Sequence, residues 1–300
     1  MARRVVGREP DAVSSGRDAG ATSVAADFTV RFWGVRGTVP CPGSSTMRYG
    51  GNTACVEMRC GSQQLIFDAG SGLRQLGREM AASGEPANAH LFFTHTHMDH
   101  VIGLPFFRPA YDPRNRFQFW SGNLSGQGRR LEDVLEQLME TPFFPVPLDI
   151  MQAAIAFHDF TPGELIEPGD GVVVRTAALN HPGGAVAYRV EFGGRSACYV
   201  TDTEHVPGKP DSSVLDLIHD ADLVIYDATY TDEEFERFRS WGHSTWQEGV
   251  RLCEQARARR LVAFHHDPEH DDEVLDRIAA DLTRLRPGSS VAREGEVIVL

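Results

Sequence analysis

HLFFTHTHMDH, residues 90–100, is a short apolar run that ends in a polar cluster. Within it His95, His97, Asp99 and His100 form an H-x-H-x-D-H pattern, four potential metal ligands in six residues. On a turn after a strand, His95 and His97 can point to one side while Asp99 and His100 reach a second position. Imidazole suits zinc, iron, copper and nickel, and an added carboxylate suits a hydrolytic metal. The chain has 12 histidines in 300 residues and three of them sit here, which argues against a merely solvated loop.

This cluster is too small for two metals, but other strand ends offer more. His181 follows TAALN, Asp202 follows CYVT, and His265 and His266 follow LVAF. Taken singly, a histidine at a strand end is a loop residue, and Asp202 reads as a turn residue or a cap. Taken in order along one chain, they read as a set.

The flanking sequence supports that reading. FTVRFWGVRGTVP (28–40) opens with alternation, Phe28, Val30 and Phe32 on one face, and predicts a strand. TACVEMRCGSQQLIFDAG (53–70) predicts a hairpin turning at Gly61-Ser62, and 185–205 a second one turning at Gly193-Gly194. Helical spacing appears at 71–83, 129–141 and 271–285, and at 243–260, where Ser244 and Gln247 are spaced as a capping box. Strands come first and then alternate with helices, as expected for one domain of packed sheets with helices outside. Residues 1–26 lack periodicity and are expected to form a disordered tail, with 27–300 as the folded domain.

Composition narrows the function. Twenty-nine basic against 42 acidic residues give a net charge of −13, the opposite of a surface built to grip nucleic-acid backbone. A small anionic substrate remains compatible, since a metal site supplies local positive charge. No stretch reaches the roughly 18 apolar residues of a membrane span. Five cysteines without a C-x-x-C pair predict neither a disulfide framework nor a cysteine zinc knuckle, and a cytoplasmic, reducing address is expected.

These residues resemble the metallo-β-lactamase superfamily, and within it the phosphodiesterase and endonuclease Z branch. The likeness spans roughly residues 28–300: Asp68 in LIFDAG, the H-x-H-x-D-H run, His181, Asp202 and His265. YDATY…GHSTWQEGVRLCEQA…LVAFHHDP (226–268) resembles endonuclease Z and its cyclic-phosphodiesterase relatives, with Asp227 where the endonuclease has Glu. The resemblance implies a four-layer αββα sandwich in the α/β class. It implies one metal on His95, His97 and His181, a second on Asp99, His100 and His265, and Asp202 bridging. Asp68 is implied behind a ligand histidine, fixing its tautomer and ring angle. His265 takes the family position, leaving His266 behind it or at the surface.

Two zinc ions, or manganese or another divalent metal, about 3.5–4 Å apart can share a hydroxide and clamp a phosphoryl group. With Asp99 at that centre, His243 in G-H-S-T is the candidate general acid or phosphate contact, and Asp227 its orienting carboxylate. FWGVRGTVP…RYGGNTACVEM (32–58) and TPFFPVPLD (141–149) are similar to segments of small cyclic-phosphate hydrolases. The expected function is therefore hydrolysis of a small phosphodiester, with a 3′,5′-cyclic nucleotide first. An endonuclease Z-like RNA or DNA nuclease and a thioester or lactone hydrolase are the alternatives, and a non-enzymatic metal-bound sensor the remaining one. Because no lysine/arginine-rich arm is evident, long nucleic acid is expected to be an unlikely partner. The resemblance implies a homodimer as one arrangement, with the aromatic residues 104–150 read either as its interface or as a lid. Arg36, Arg48 and Asn52 are expected in loops that can face the substrate.

Overall fold

A computed structural model describes residues 28–300, so the tail expected at 1–26 lies outside the described residues. Alternation works as predicted at the start: in β1 (Phe28–Gly34), Phe28, Val30 and Phe32 are all buried. The first sheet continues through β2 (Cys55–Cys60), β3 (Gln63–Phe67), β4 (Asn88–Phe93), β5 (Arg116–Ser121) and β6 (Ala154–Asp159). The second holds β7 (Leu165–Gly169), β8 (Val172–Leu179), β9 (Ala185–Phe192), β10 (Arg195–Val200), β11 (Leu223–Asp227), β12 (Arg260–Phe264) and β13 (Ser290–Val291). β14 (Val297–Val299) returns to pair with β1, so the sheets run β14-β1-β2-β3-β4-β5-β6 and β13-β12-β11-β10-β9-β8-β7. Both predicted hairpins form: Cys60 faces Gln63 across Gly61, and Phe192 faces Arg195 across Gly193 and Gly194. Gly61, Gly193 and Gly194 all take positive φ, which a Cβ would resist.

The sheets pack face to face. Phe32, Met58, Phe67 and Phe92 from one meet Val174, Tyr188, Tyr199 and Phe264 from the other. Helices cover the outer faces. α1 (Leu73–Ala82), the short α2 (Met98–Val101) and α3 (Leu131–Leu138) follow strands of the first sheet. α4 (Ser212–Ile218), the short α5 (Asp232–Phe235), α6 (Trp246–Gln255) and α7 (Asp272–Leu285) follow strands of the second. Leu73, Leu76 and Leu135 sit in the outer core of the first sheet, and Leu217, Val250 and Leu275 in that of the second. This is the expected four-layer αββα sandwich. Among the described residues no helix is long and apolar enough to cross a membrane.

One predicted detail shifts. The cap of α6 is Thr245, whose hydroxyl accepts from the Glu248 N–H at 3.1 Å, and not Ser244 with Gln247. Ser244 is already engaged: its Oγ lies 2.8 Å from His205 Nδ1 and 3.0 Å from the Tyr226 hydroxyl.

The topology positions the site. β3 to β6 are parallel, as are β10 to β13, so each sheet collects several strand ends on one edge. Parallel strands need a crossover between them, and the loops leaving their carboxyl ends are where such sheets bind ligands. Asp68 follows β3, His95 follows β4, Asp202 follows β10, Asp227 ends β11 and His265 follows β12.

Candidate metal centre

Asp202 lies at the middle of this edge. Its Oδ1 is 3.3 Å from His100 Nε2 and 3.2 Å from His265 Nε2. Its Oδ2 is 3.6 Å from His95 Nε2 and 3.8 Å from His181 Nε2. One carboxylate thus faces two histidine clusters, one with each oxygen. His95, His97 and His181 form the first cluster; Asp99, His100, Asp202 and His265 form the second. All seven residues picked from the sequence therefore meet in space.

Behind them, hydrogen bonds fix which imidazole nitrogen points inward. His100 Nδ1 donates to Asp68 Oδ2 at 2.8 Å, and the same carboxylate accepts from the Thr94 N–H and the Tyr199 hydroxyl. His181 Nδ1 donates to the Gly242 carbonyl at 2.7 Å. His265 Nδ1 donates to Thr229 Oγ1 at 3.0 Å, and the Thr229 hydroxyl donates to Asp227. His95 Nδ1 lies 3.1 Å from Thr94 Oγ1. A proton held on Nδ1 leaves Nε2 as a lone pair aimed at the centre.

Those lone pairs test whether a cation fits. His95 Nε2 is buried with no hydrogen-bond partner. His100 Nε2 faces His265 Nε2 at 3.2 Å, and His181 Nε2 faces His97 Nδ1 at 3.1 Å. Facing lone pairs repel and an unpaired buried acceptor is costly, so this donor set suits a divalent metal in each cluster. Electrostatics agree. Burial pushes His95, His97 and His181 below the ordinary imidazole range. Around His100 burial is outweighed by Asp202, Asp99 and Asp68, a concentration of negative charge suited to a cation.

His243 stands beside the second cluster, its ring stacked on His265 at 5.0 Å. Its Nδ1 is 3.1 Å from Asp227 Oδ2 and 3.9 Å from Asp202 Oδ2. Burial opposes charging His243, but the Asp227 carboxylate prevails and raises it to about 9.

Three sequence expectations need correction. Arg36 does not face the site: it is fully buried, and its guanidinium donates to the carbonyls of Gly50, Asp267 and His270. Arg48 is drawn away to Asp276, and Asn52 to Glu294. His266, expected behind His265 or at the surface, is buried, and its Nε2 donates to the Ala292 carbonyl. The sequence reading also missed partners. Thr38 N–H donates to Asp99 Oδ2 at 2.7 Å, Thr94 and Thr229 contact the His95 and His265 rings, and Tyr199 and Thr94 hold Asp68. Only Thr229 carried a signal, its place two residues after Asp227 in the D-A-T-Y element.

With fold and site in hand, comparison with known proteins is direct. Residues 63–266 match the β-lactamase superfamily domain, and the chain belongs to that superfamily. The superfamily match and its relatives define a metal-dependent hydrolase. The ribonuclease Z of Haloarcula marismortui is 26% identical over 313 residues, covering 90% of this chain and 93% of that one. Among solved structures, the metallo-β-lactamase fold protein YhfI of Bacillus subtilis matches with a TM-score of 0.68 at 17% identity, covering 92% of this chain and all of that one. Human tRNase Z, short form, matches with a TM-score of 0.63 at 21% identity, covering 90% and 98%.

These relatives correct the expectation that long nucleic acid is an unlikely partner. Ribonuclease Z proteins recur among the similar sequences, and that name denotes RNA cleavage. The charge argument failed because −13 is a sum over the whole chain. Phosphate is gripped by local charge, which a sum over the chain does not record and which a bound cation changes.

Proposed function

We propose that this chain is a dinuclear phosphodiesterase of the endonuclease Z type, with RNA as substrate. In this reading His95, His97 and His181 would hold one ion and Asp99, His100 and His265 the other, with Asp202 able to serve both. Zinc is the proposed metal, given five imidazoles among seven ligands. The ions, when bound, supply an activated water nucleophile and neutralise charge on the phosphoryl oxygens. The protein's own groups do the rest. Asp68, Thr94, Thr229 and the Gly242 carbonyl hold the ligand rings in one tautomer and angle. His243, steered by Asp227, gives its proton to the leaving oxygen, and Asp227 stabilises the charged imidazole until then.

The observation that carries this reading is Asp202 presenting one oxygen to each cluster, with His243 alongside. Its test is a substrate panel on zinc- or manganese-loaded protein, with His97→Ala as control. The panel holds a tRNA precursor, a linear dinucleotide, and the 2′,3′- and 3′,5′-cyclic mononucleotides. Cleavage of the precursor, lost in the variant, is expected. Metal-replete protein that cleaves none of these would overturn the reading.

A small cyclic phosphodiester, with a 3′,5′-cyclic nucleotide first, is the second reading. It is favoured by the contact of the 32–58 segment with the site, through the Thr38 N–H on Asp99. Turnover confined to the cyclic compounds would select it.

A further inference from the structure

An aromatic wall leads outward from His243. The Tyr230 ring lies 6.0 Å from the His243 ring. Phe238 stacks on Tyr230 at 4.5 Å, nearly parallel at 8°. Trp241 meets Phe238 edge-on at 5.4 Å. Tyr230 is buried, yet Trp241 is 63% exposed, while the other three tryptophans are buried or half-buried. A ring of this size exposed beside the candidate metal centre offers an open aromatic face.

The wall is also held in place. Gly242, the next residue, accepts from His181 Nδ1 through its carbonyl and donates its N–H to Glu204 Oε2 at 2.9 Å. It has φ +89°, and a Cβ there would lie 2.4 Å from the His181 ring, so only glycine fits. Ser240, on the other side, is itself left-handed at φ +74°. Trp241 is therefore anchored next to Gly242, the residue whose carbonyl holds the His181 ring. Arg237 places its guanidinium 5.5 Å over Phe238 and has no carboxylate partner among the described residues, so a free positive charge flanks the wall.

We propose that Trp241, backed by Phe238, is the stacking platform for the base of the nucleotide whose phosphodiester enters the metal centre. This rests on the phosphodiesterase reading and adds to it a base subsite. The chemistry matches: every nucleobase has a π face, and stacking on an aromatic side chain is tolerant of sequence. A guanidinium beside the wall suits the adjoining phosphate.

The test compares wild type, Trp241→Ala and Trp241→Phe, all metal-loaded. Each is given an RNA oligonucleotide and the same oligonucleotide with abasic residues flanking the cleaved bond. Trp241→Ala is expected to raise KM for the normal substrate about tenfold, leave kcat near wild type, and leave the abasic substrate unaffected. Trp241→Phe restores most of the loss. A second readout needs no turnover: AMP quenches tryptophan fluorescence in the wild type, ribose 5-phosphate does not, and Trp241→Phe abolishes the quench. Equal loss on both substrates, or no loss on either, overturns the platform. Should the wild type cleave no phosphodiester, the functional reading falls, and the AMP quench still decides: its absence overturns the platform as well.

Discussion

Asp68, Asp202 and His265 share a backbone feature, with φ of +60°, +58° and +62°. Each directly or nearly follows a strand end, and each left-handed turn swings the side chain back over the sheet edge. Such residues cost of order 1–3 kcal/mol each and persist where surrounding structure holds them. Asp tolerates this region and His265 does so less readily, so the hydrogen bonds around Thr229 are what hold it. At this scale two variants separate binding from chemistry. Asp202→Asn keeps the shape but removes the charge shared by both clusters. Elemental analysis is expected to show fewer than two metals per chain, against two in the wild type. His243→Gln touches no proposed ligand position. It is expected to keep both metals and lose about 10²–10⁴ in kcat, the usual worth of a positioned general acid. If it loses metal instead, His243 belongs to the metal cage, a role its distance from Asp202 would also permit.

The loop between β1 and β2 acts as an element of its own. Its N–H groups and carbonyls bridge to the loop after β12: Gly37 N–H donates to the His266 carbonyl, and His266 N–H to the Val35 carbonyl. Arg36 clamps the same junction through three carbonyls, and Thr38 reaches Asp99. Gly37 lies so close that a Cβ would sit 2.4 Å from the His265 ring. Gly37→Ala is therefore expected to push His265 aside and lower metal stoichiometry, as read by elemental analysis, while the circular dichroism spectrum stays unchanged. Arg36→Met leaves its three buried carbonyls unpaired and is expected to cost at least about 4 kcal/mol in urea unfolding, since hydrogen bonds from a charged donor are each worth about 1.5–3. An unchanged midpoint would show that water replaces the guanidinium.

For the whole molecule, stability is linked to metal and to pH. Facing lone pairs at the site mean that chelation leaves repulsion behind. At a free metal concentration a thousandfold above Kd, the bound ion stabilises by about 4 kcal/mol. EDTA is expected to lower Tm by roughly 10 °C for a chain of this size, measured by scanning fluorimetry with and without added zinc. The second link lies away from the site. His90, between the sheets, accepts from Trp120 Nε1 at 3.1 Å and is lowered to about 4, by burial first and by His158 second. Its folded value lies below its unfolded one of about 6.5, so the unfolded chain binds the extra proton. Stability from this group is present above pH 6.5 and is lost as pH falls towards 4, by about 3 kcal/mol in all. His90→Gln keeps an acceptor for Trp120, and its urea midpoint is expected to fall less steeply than that of the wild type between pH 7 and 5.

Much of this molecule was written locally. Strand alternation at 28–32, the two hairpins and the helix spacings all follow from near neighbours in the chain, because periodicity and turn chemistry are local properties, whereas the set of seven candidate ligands was legible only through the resemblance. The αββα class followed from that pattern together with the resemblance. Other features were decided only by tertiary structure. That Asp202 faces both clusters, that Arg36 is a buried clamp, and that Ser244 is taken by His205 and Tyr226 all depend on residues far apart in sequence. Hydrogen-bond partners are set by which groups the packed sheets bring within about 3 Å. No spacing along the chain records that distance, and a net charge summed over the chain records no position at all.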